Sequence, residues 1–173
     1  MMTQTIAADS PTTKSSRTDT ERFLAFAYRD STQPGGRRVA LVVPVNRVVE
    51  IMDVTKWTVS PSGVEHDCGR IDWRKQEIAV LDPSGWVGLG VTPHESSRVV
   101  ITKFDNVTVG LLTGPTVVML ASSVPCIPTR HLVAVNSDRV LGVYDTTDLT
   151  IILPDWRGFK ASIHSTSRPV ETP

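Results

Sequence analysis

Apolar positions recur along this chain with a period of two, in short runs separated by glycine and proline. That period alternates side chains between the two faces of a strand. Phe23, Ala25 and Ala27 alternate with Leu24, Phe26 and Tyr28, and both registers are apolar. A strand buried on both faces, bridging two parts of the fold, is expected there. Gln33-Pro-Gly-Gly36 is a turn signal. Arg37 to Val45 and Val48 to Val54 read as the next two strands. Trp57 to Cys68, with Pro61 and Gly63, reads as a loop. Gly69 to Asp82 reads as a charged hairpin tip, turning at Lys75 and Gln76, that feeds a strand over Ile78–Leu81. Ile78 and Val80 share one face of that strand and Ala79 and Leu81 the other, while Glu77 faces water.

The second half repeats the pattern. Pro83 to Ser97 carries Gly85, Gly88, Gly90 and Pro93 and reads as a linker. Val99–Phe104 and Val107–Leu112 are strands joined at Asp105-Asn106, since both residues tolerate left-handed backbone. Gly114-Pro115 turns the chain into Thr116–Leu120. Ser122 to Thr129 holds Pro125 and Pro128 and is expected to be extended and irregular. Leu132–Val135, Arg139–Tyr144 and Leu149–Leu153 complete the strands. Helical periodicity is weak, with Thr92 to Ser96 the best candidate for a helical turn.

Many short strands with Gly/Pro turns predict an all-β barrel or sandwich. The linker divides the strands into two groups. A barrel of under about 80 residues has a thin core, so the two groups are expected to share apolar surface. The expected architecture is two small β-barrel subdomains packed on a shared core. The first spans about 30–90 and the second about 91–159, with strand 21–29 between them. Residues 1–20 and 161–173 are rich in Ser and Thr and read as a disordered arm and tail.

Composition narrows the function. The 173 residues hold 18 Lys plus Arg and 18 Asp plus Glu, a formal net charge of zero. That leaves no basic footprint for nucleic acid and no polybasic membrane anchor. No run approaches the roughly 18 apolar residues of a membrane helix. Val107 to Ala121 comes nearest and is broken at Gly114-Pro115. A cytoplasmic protein without membrane insertion is expected. Cys68 and Cys126 have no paired C-x-x-C spacing and read as free thiols. No P-loop, dinucleotide fingerprint or metal-ligand spacing is present, so no cofactor, metal or catalytic residue is assigned. His66-Asp67-Cys68 is the one stretch that offers a nucleophile and a base, but chain neighbours rarely face each other within hydrogen-bond reach. His131 and His164 fall in expected loops.

Gly69, Ile71, Arg74, Val80 and Asp82 match, in register and without a gap, the signature of the CheW-like chemotaxis coupling proteins. That pattern runs Gly-x-Ile/Val-Asn-Leu-Arg-Gly, a few residues, then Pro-Val-Ile-Asp. Pro44-Val-Asn-Arg-Val-Val-Glu-Ile51 resembles the family's apolar-x-x-Val-x-Glu-Ile segment. Phe23-Leu-Ala-Phe26 is similar to its opening strand, and Val107–Leu112 resembles the strand at which its second barrel begins to close. The resemblance spans most of Glu21 to Phe159. Asp72 stands for Asn, Trp73 for Leu, Lys75 for Gly and Ala79 for Pro, and Gly114 stands where the family usually has Asp. The chain therefore resembles a divergent member.

The resemblance implies two SH3-like barrels around a shared core and a non-enzymatic adaptor. Such a protein bridges the cytoplasmic tip of a methyl-accepting receptor and the regulatory domain of a CheA-type histidine kinase. A stand-alone regulatory or oligomerisation module of the same fold, without a receptor partner, is the alternative. Val48, Glu50, Asp72, Trp73 and Arg74 are the candidate partner-binding residues: the resemblance puts Glu50 and Arg74 at the family's acidic and arginine positions, as a surface pair shaping the receptor-binding region or an ordinary salt bridge, and the other three are read from the residues around them. Val48 lies two residues before Glu50, so both are expected on one strand face, with Val48 either an exposed contact or core. Of the four tryptophans, Trp57, Trp86 and Trp156 read as core or barrel-end plugs, and Trp73 in the charged turn reads as interface.

Overall fold

The computed structural model describes residues 22–29, 38–53, 66–89, 98–114, 116–121, 123–129 and 135–166. The turn at Gln33–Gly36, most of the loop after Trp57, the helical turn at Thr92–Ser96, residues 132–134, His131 and the arm 1–20 lie outside them.

Most strands form where apolar runs predict them; Asp67–Trp73, read as a loop end and charged turn, and Ile127–Pro128, read as irregular, are strands as well. The strands are β1 (Arg22–Arg29), β2 (Arg38–Pro44), β3 (Val48–Asp53), β4 (Asp67–Trp73), β5 (Gln76–Leu81), β6 (Arg98–Phe104), β7 (Val107–Thr113), β8 (Thr116–Ala121), β9 (Ile127–Pro128), β10 (Val140–Asp145) and β11 (Leu149–Pro154). Among the described residues two α-helices join them: α1 (Pro83–Trp86) and α2 (Trp156–Thr166).

These strands build two sheets. One is six-stranded, in the order β8-β1-β2-β11-β10-β9, and the other is five-stranded, in the order β3-β6-β7-β5-β4. All pairs are antiparallel except β2 with β11 and β5 with β7. The expected cut near residue 90 is corrected by this topology. Consecutive β2 and β3 lie in different sheets, and the chain crosses between them through a 3-10 turn at Val45–Arg47. β6 and β7, assigned in advance to the second barrel, complete the sheet that β3–β5 begin. β1 does not bridge the sheets; it pairs with β2 and β8 inside one of them.

Three apolar clusters follow from the two faces of each sheet. Leu24, Phe26, Leu41 and Val43 from one sheet meet Leu81, Val100, Val109 and Leu111 from the other in a shared core. Ile71, Ile78, Val80, Val99, Ile101 and Leu112 form a core private to the five-stranded sheet. Ala25, Ala40, Val42 and Ile151 form one private to the six-stranded sheet. β1 and β5 thus bury both faces, as their doubly apolar patterns predict. Ile78 and Val80 face one cluster, while Ala79 and Leu81 face the shared core.

Both sheets curl. β3 and β4 are opposite edges of the five-stranded sheet, yet the indole Nε1 of Trp73 on β4 donates to Glu50 on β3 at 3.0 Å. In the other sheet, Leu120 of edge strand β8 and Tyr144, next to the far edge, line one apolar cavity of about 220 Å³. Two small barrels around a shared core describe the arrangement.

Two segments depart from expectation. Pro83–Leu89, read as linker, is packed: Trp86 and Val87 are 4% and 0% exposed in the shared core. Ala161–Thr166, read as tail, continues α2. Trp156, Phe159 and Ile163 recur at helical spacing and pack on the shared core. Asp155 caps the helix by accepting from the Arg157 amide at 3.1 Å. The rings of Trp86 and Trp156 each meet that of Phe159 edge to face, with centroids 5.1 and 5.4 Å apart. The Trp156 indole donates to the Val42 carbonyl at 2.9 Å, so α2 is fastened to β2. Asp105, at the tip between β6 and β7, accepts from Lys160 of α2 and from Arg47. Lys160, then Arg47, hold its carboxyl below the ordinary range.

Candidate partner-binding site

The site is built on the β4–β5 hairpin. Trp73 pairs with Gln76, so Arg74 and Lys75 form a two-residue turn, one position earlier than expected. Both take left-handed backbone, φ 51° and 64°. A turn with both central residues at positive φ matches the twist of the flanking strands, and glycine is favoured at its second position. Lys75 occupies that position, so the departure from the family's glycine carries a conformational cost. The turn holds its shape because Trp73 is anchored on one side and Arg74 folds back over it.

Three of the five candidate site residues come together. Glu50 Oε2 accepts from Trp73 Nε1 at 3.0 Å and from Arg74 Nη2 at 3.2 Å. The Arg74 guanidinium lies over the Trp73 ring, 4.7 Å from its centroid. Trp73 rests its body against the private core beside Ile71 and Ile78. The arginine and glutamate side chains are 66% and 41% exposed. Arg74, Trp73 and Glu50 therefore present a partly wet surface in which a cation, an aromatic edge and a carboxylate are mutually fixed.

The other two residues are placed elsewhere. The expectation that Val48 and Glu50 share a face is corrected by a β-bulge. Val48 pairs with Thr102 and Glu50 with Ile101, so one extra residue, Val49, intervenes. Val48 consequently packs against the shared core. The exposed apolar residues of this strand are Val49 and Ile51, at 43% and 44%. Period-two reading has no signal for a bulge, and that is why it selected Val48. Asp72 is exposed on the face of β4 opposite Trp73 and pairs across the hairpin with Glu77. It does not join the cluster.

Asp82, the last residue of the matched motif, has a structural task. It caps α1: its Oδ1 accepts from the Ser84 amide at 2.9 Å and from the Ser84 hydroxyl at 2.5 Å. A Cβ at Gly85 would come within 2.7 Å of Asp82 Oδ2 and 2.9 Å of His66 Nδ1, so those side chains would have to shift.

His66 and Cys68 make no nucleophile–base pair. The Cys68 thiol reaches the His66 main-chain oxygen, at 4.0 Å, and the ring Nε2 of His66 lies 3.3 Å from Arg139 Nη1. Burial, with Asp82 and Asp67 nearby, pushes the Cys68 thiol up to about 12. It is a poor thiolate at neutral pH. The cavity in the six-stranded sheet is lined by Phe23, Val42, Leu120, Tyr144 and Leu153 among others, without a carboxylate, imidazole or amine. Among the described residues, no group of three or more His, Cys, Asp and Glu side chains is placed to hold a metal ion. No helix among them is long and apolar enough to cross a membrane.

Comparison with known proteins bears on this geometry. The CheW-like domain family matches residues 33–115, a span that contains β2 to β7 and the whole Glu50–Trp73–Arg74 cluster. No curated protein matches the chain. Among solved structures, the fold is similar to scaffolding protein TtCheW from Thermoanaerobacter tengcongensis. That likeness has a TM-score of 0.56 at 19% identity and covers 88% of this chain and 90% of the other. Gly69, Ile71, Arg74, Val80 and Asp82, the residues that carry the resemblance, all fall within the stretch that matches the CheW-like domain family.

Proposed function

We propose that this chain is a non-enzymatic adaptor in chemotaxis or related motility signalling, coupling a receptor to a CheA-type histidine kinase. It performs no chemistry and works in the cytoplasm by holding two partners together. The CheW-like domain match and the fold shared with a protein described as scaffolding support this reading. The observation that carries it is the Glu50–Trp73–Arg74 cluster, which joins the two edges of one barrel and leaves its charged atoms exposed. A rigid, partly hydrated patch around an aromatic and an arginine suits a modular protein interface. Asp72, on the opposite face of the hairpin, and Val48, packed against the shared core, lie outside this cluster. The partners are the kinase's regulatory domain and the cytoplasmic tip of a methyl-accepting receptor.

The test is reconstitution with a receptor cytoplasmic fragment and the kinase from the same cell. Kinase sedimenting with receptor only when this protein is present is the expected result. Receptor and kinase that associate equally without it would overturn the coupling role. Binding to neither, by a folded protein, would favour a stand-alone regulatory module.

A further inference from the structure

An edge strand with unpaired backbone groups is a template for another chain unless something blocks it. The described sheets end in four such strands, β8 and β9 in one and β3 and β4 in the other. Three are blocked. β4 carries Asp67, Arg70 and Asp72, an Arg70–Asp67 ion pair at 2.9 Å and a bulge between Asp67 and Gly69. β3 carries Glu50, Asp53 paired with Arg98 at 2.8 Å, and the bulge after Val48. β9 is two residues long and ends in Pro128.

β8 has none of these devices. Its six residues, Thr116-Val-Val-Met-Leu-Ala121, include no charge and no proline. Its register against β1 runs unbroken from Arg22↔Ala121 to Ala27↔Thr116. Val118 is 36% exposed and Met119 58%, so apolar side chains reach solvent from both faces of the strand. Among the described residues, no strand pairs with its outer edge.

We propose that β8 is a self-association edge, pairing antiparallel with β8 of a second copy about a two-fold axis. A second copy fits for three reasons. An uncharged apolar strand meets itself without charge conflict. The chain has no net charge, so copies do not repel at long range. The two-fold contact consumes the open edge of both copies while the remaining edges stay blocked, which closes the assembly at a dimer. The six-stranded sheet then continues across both copies.

Sedimentation velocity over a micromolar concentration series, with hydrogen exchange on the same samples, tests this. The full chain is expected to dimerise as concentration rises, with β8 amide exchange slowing in step. Met119→Lys and Val118→Lys, on opposite faces of the strand, are expected to raise the dissociation constant more than about tenfold with circular dichroism unchanged. A monomer at every concentration overturns the proposal. So does a dimer whose β8 amides exchange at the monomer rate, since the copies then meet elsewhere. Folded variants that dimerise like the parent chain also overturn it. The exchange experiment on the unsubstituted chain decides the matter even if a lysine variant does not fold.

Discussion

Lys75 sits at φ 64° in a turn position that favours glycine. Lys75→Gly is expected to stabilise the fold by about 1 kcal/mol in urea denaturation, the relief of left-handed strain less the added freedom of the unfolded chain. A neutral or destabilising result would mean that the lysine makes a compensating contact. The Glu50–Arg74 pair is exposed, so Glu50→Gln should change stability by no more than about 1 kcal/mol. On the proposed function, its effect falls on partner binding instead. Cys68 provides a pH test. Its folded value is raised to about 12 from 9.0, so above pH 9 the unfolded chain loses a proton that the folded chain keeps. Stability should therefore decline from pH 9 towards 12, and Cys68→Ala should flatten that decline. A thiol reagent near neutral pH should label exposed Cys126 and spare Cys68 until the chain unfolds.

At the scale of elements, α2 carries the clearest prediction. Phe159 is 1% exposed and touches Trp86, Phe104 and Trp156. Phe159→Ala should cost about 3–5 kcal/mol. Asp155→Ala removes only the cap and should cost about 1 kcal/mol. A Phe159→Ala loss below that of the cap would show that α2 is not part of the core. The strands were legible because β1, β2, β5, β6 and β7 are short apolar runs set off by glycine, proline and charged residues. α2 was missed because Gly158, Lys160 and Ala161 dilute its apolar stripe. Its signal, Asp155 followed by apolar positions at Trp156, Phe159 and Ile163, is short. α1 was hidden by Pro83 and Gly85, which read as linker residues but here start a capped turn and make room for a carboxylate. The candidate site was legible as a motif, through Glu50 and Arg74. It was not legible as geometry: the bulge at Val49 reverses a face, and nothing in residue spacing shows that β3 and β4 meet.

At the scale of the molecule, the shared core decides cooperativity. Leu24, Phe26, Leu41, Val100, Val109 and Phe159 meet in one cluster drawn from both sheets and from α2. The two barrels should therefore unfold in one transition, with far-ultraviolet dichroism and tryptophan fluorescence coincident in urea. Two separated transitions would mean that each barrel stands on its private core. The same interleaving explains why the division near residue 90 was not legible in sequence: β2 and β3 are adjacent in the chain but lie in different sheets.

We propose that the hairpin surface around Glu50, Trp73 and Arg74 binds a kinase regulatory domain. The most direct measurement is a calorimetric titration of the protein with the regulatory domain of a CheA-type kinase from the same cell, repeated with Arg74→Ala. About micromolar binding that weakens at least tenfold in the variant, with its dichroism unchanged, is expected. Equal affinity of both proteins, each folded, would contradict it.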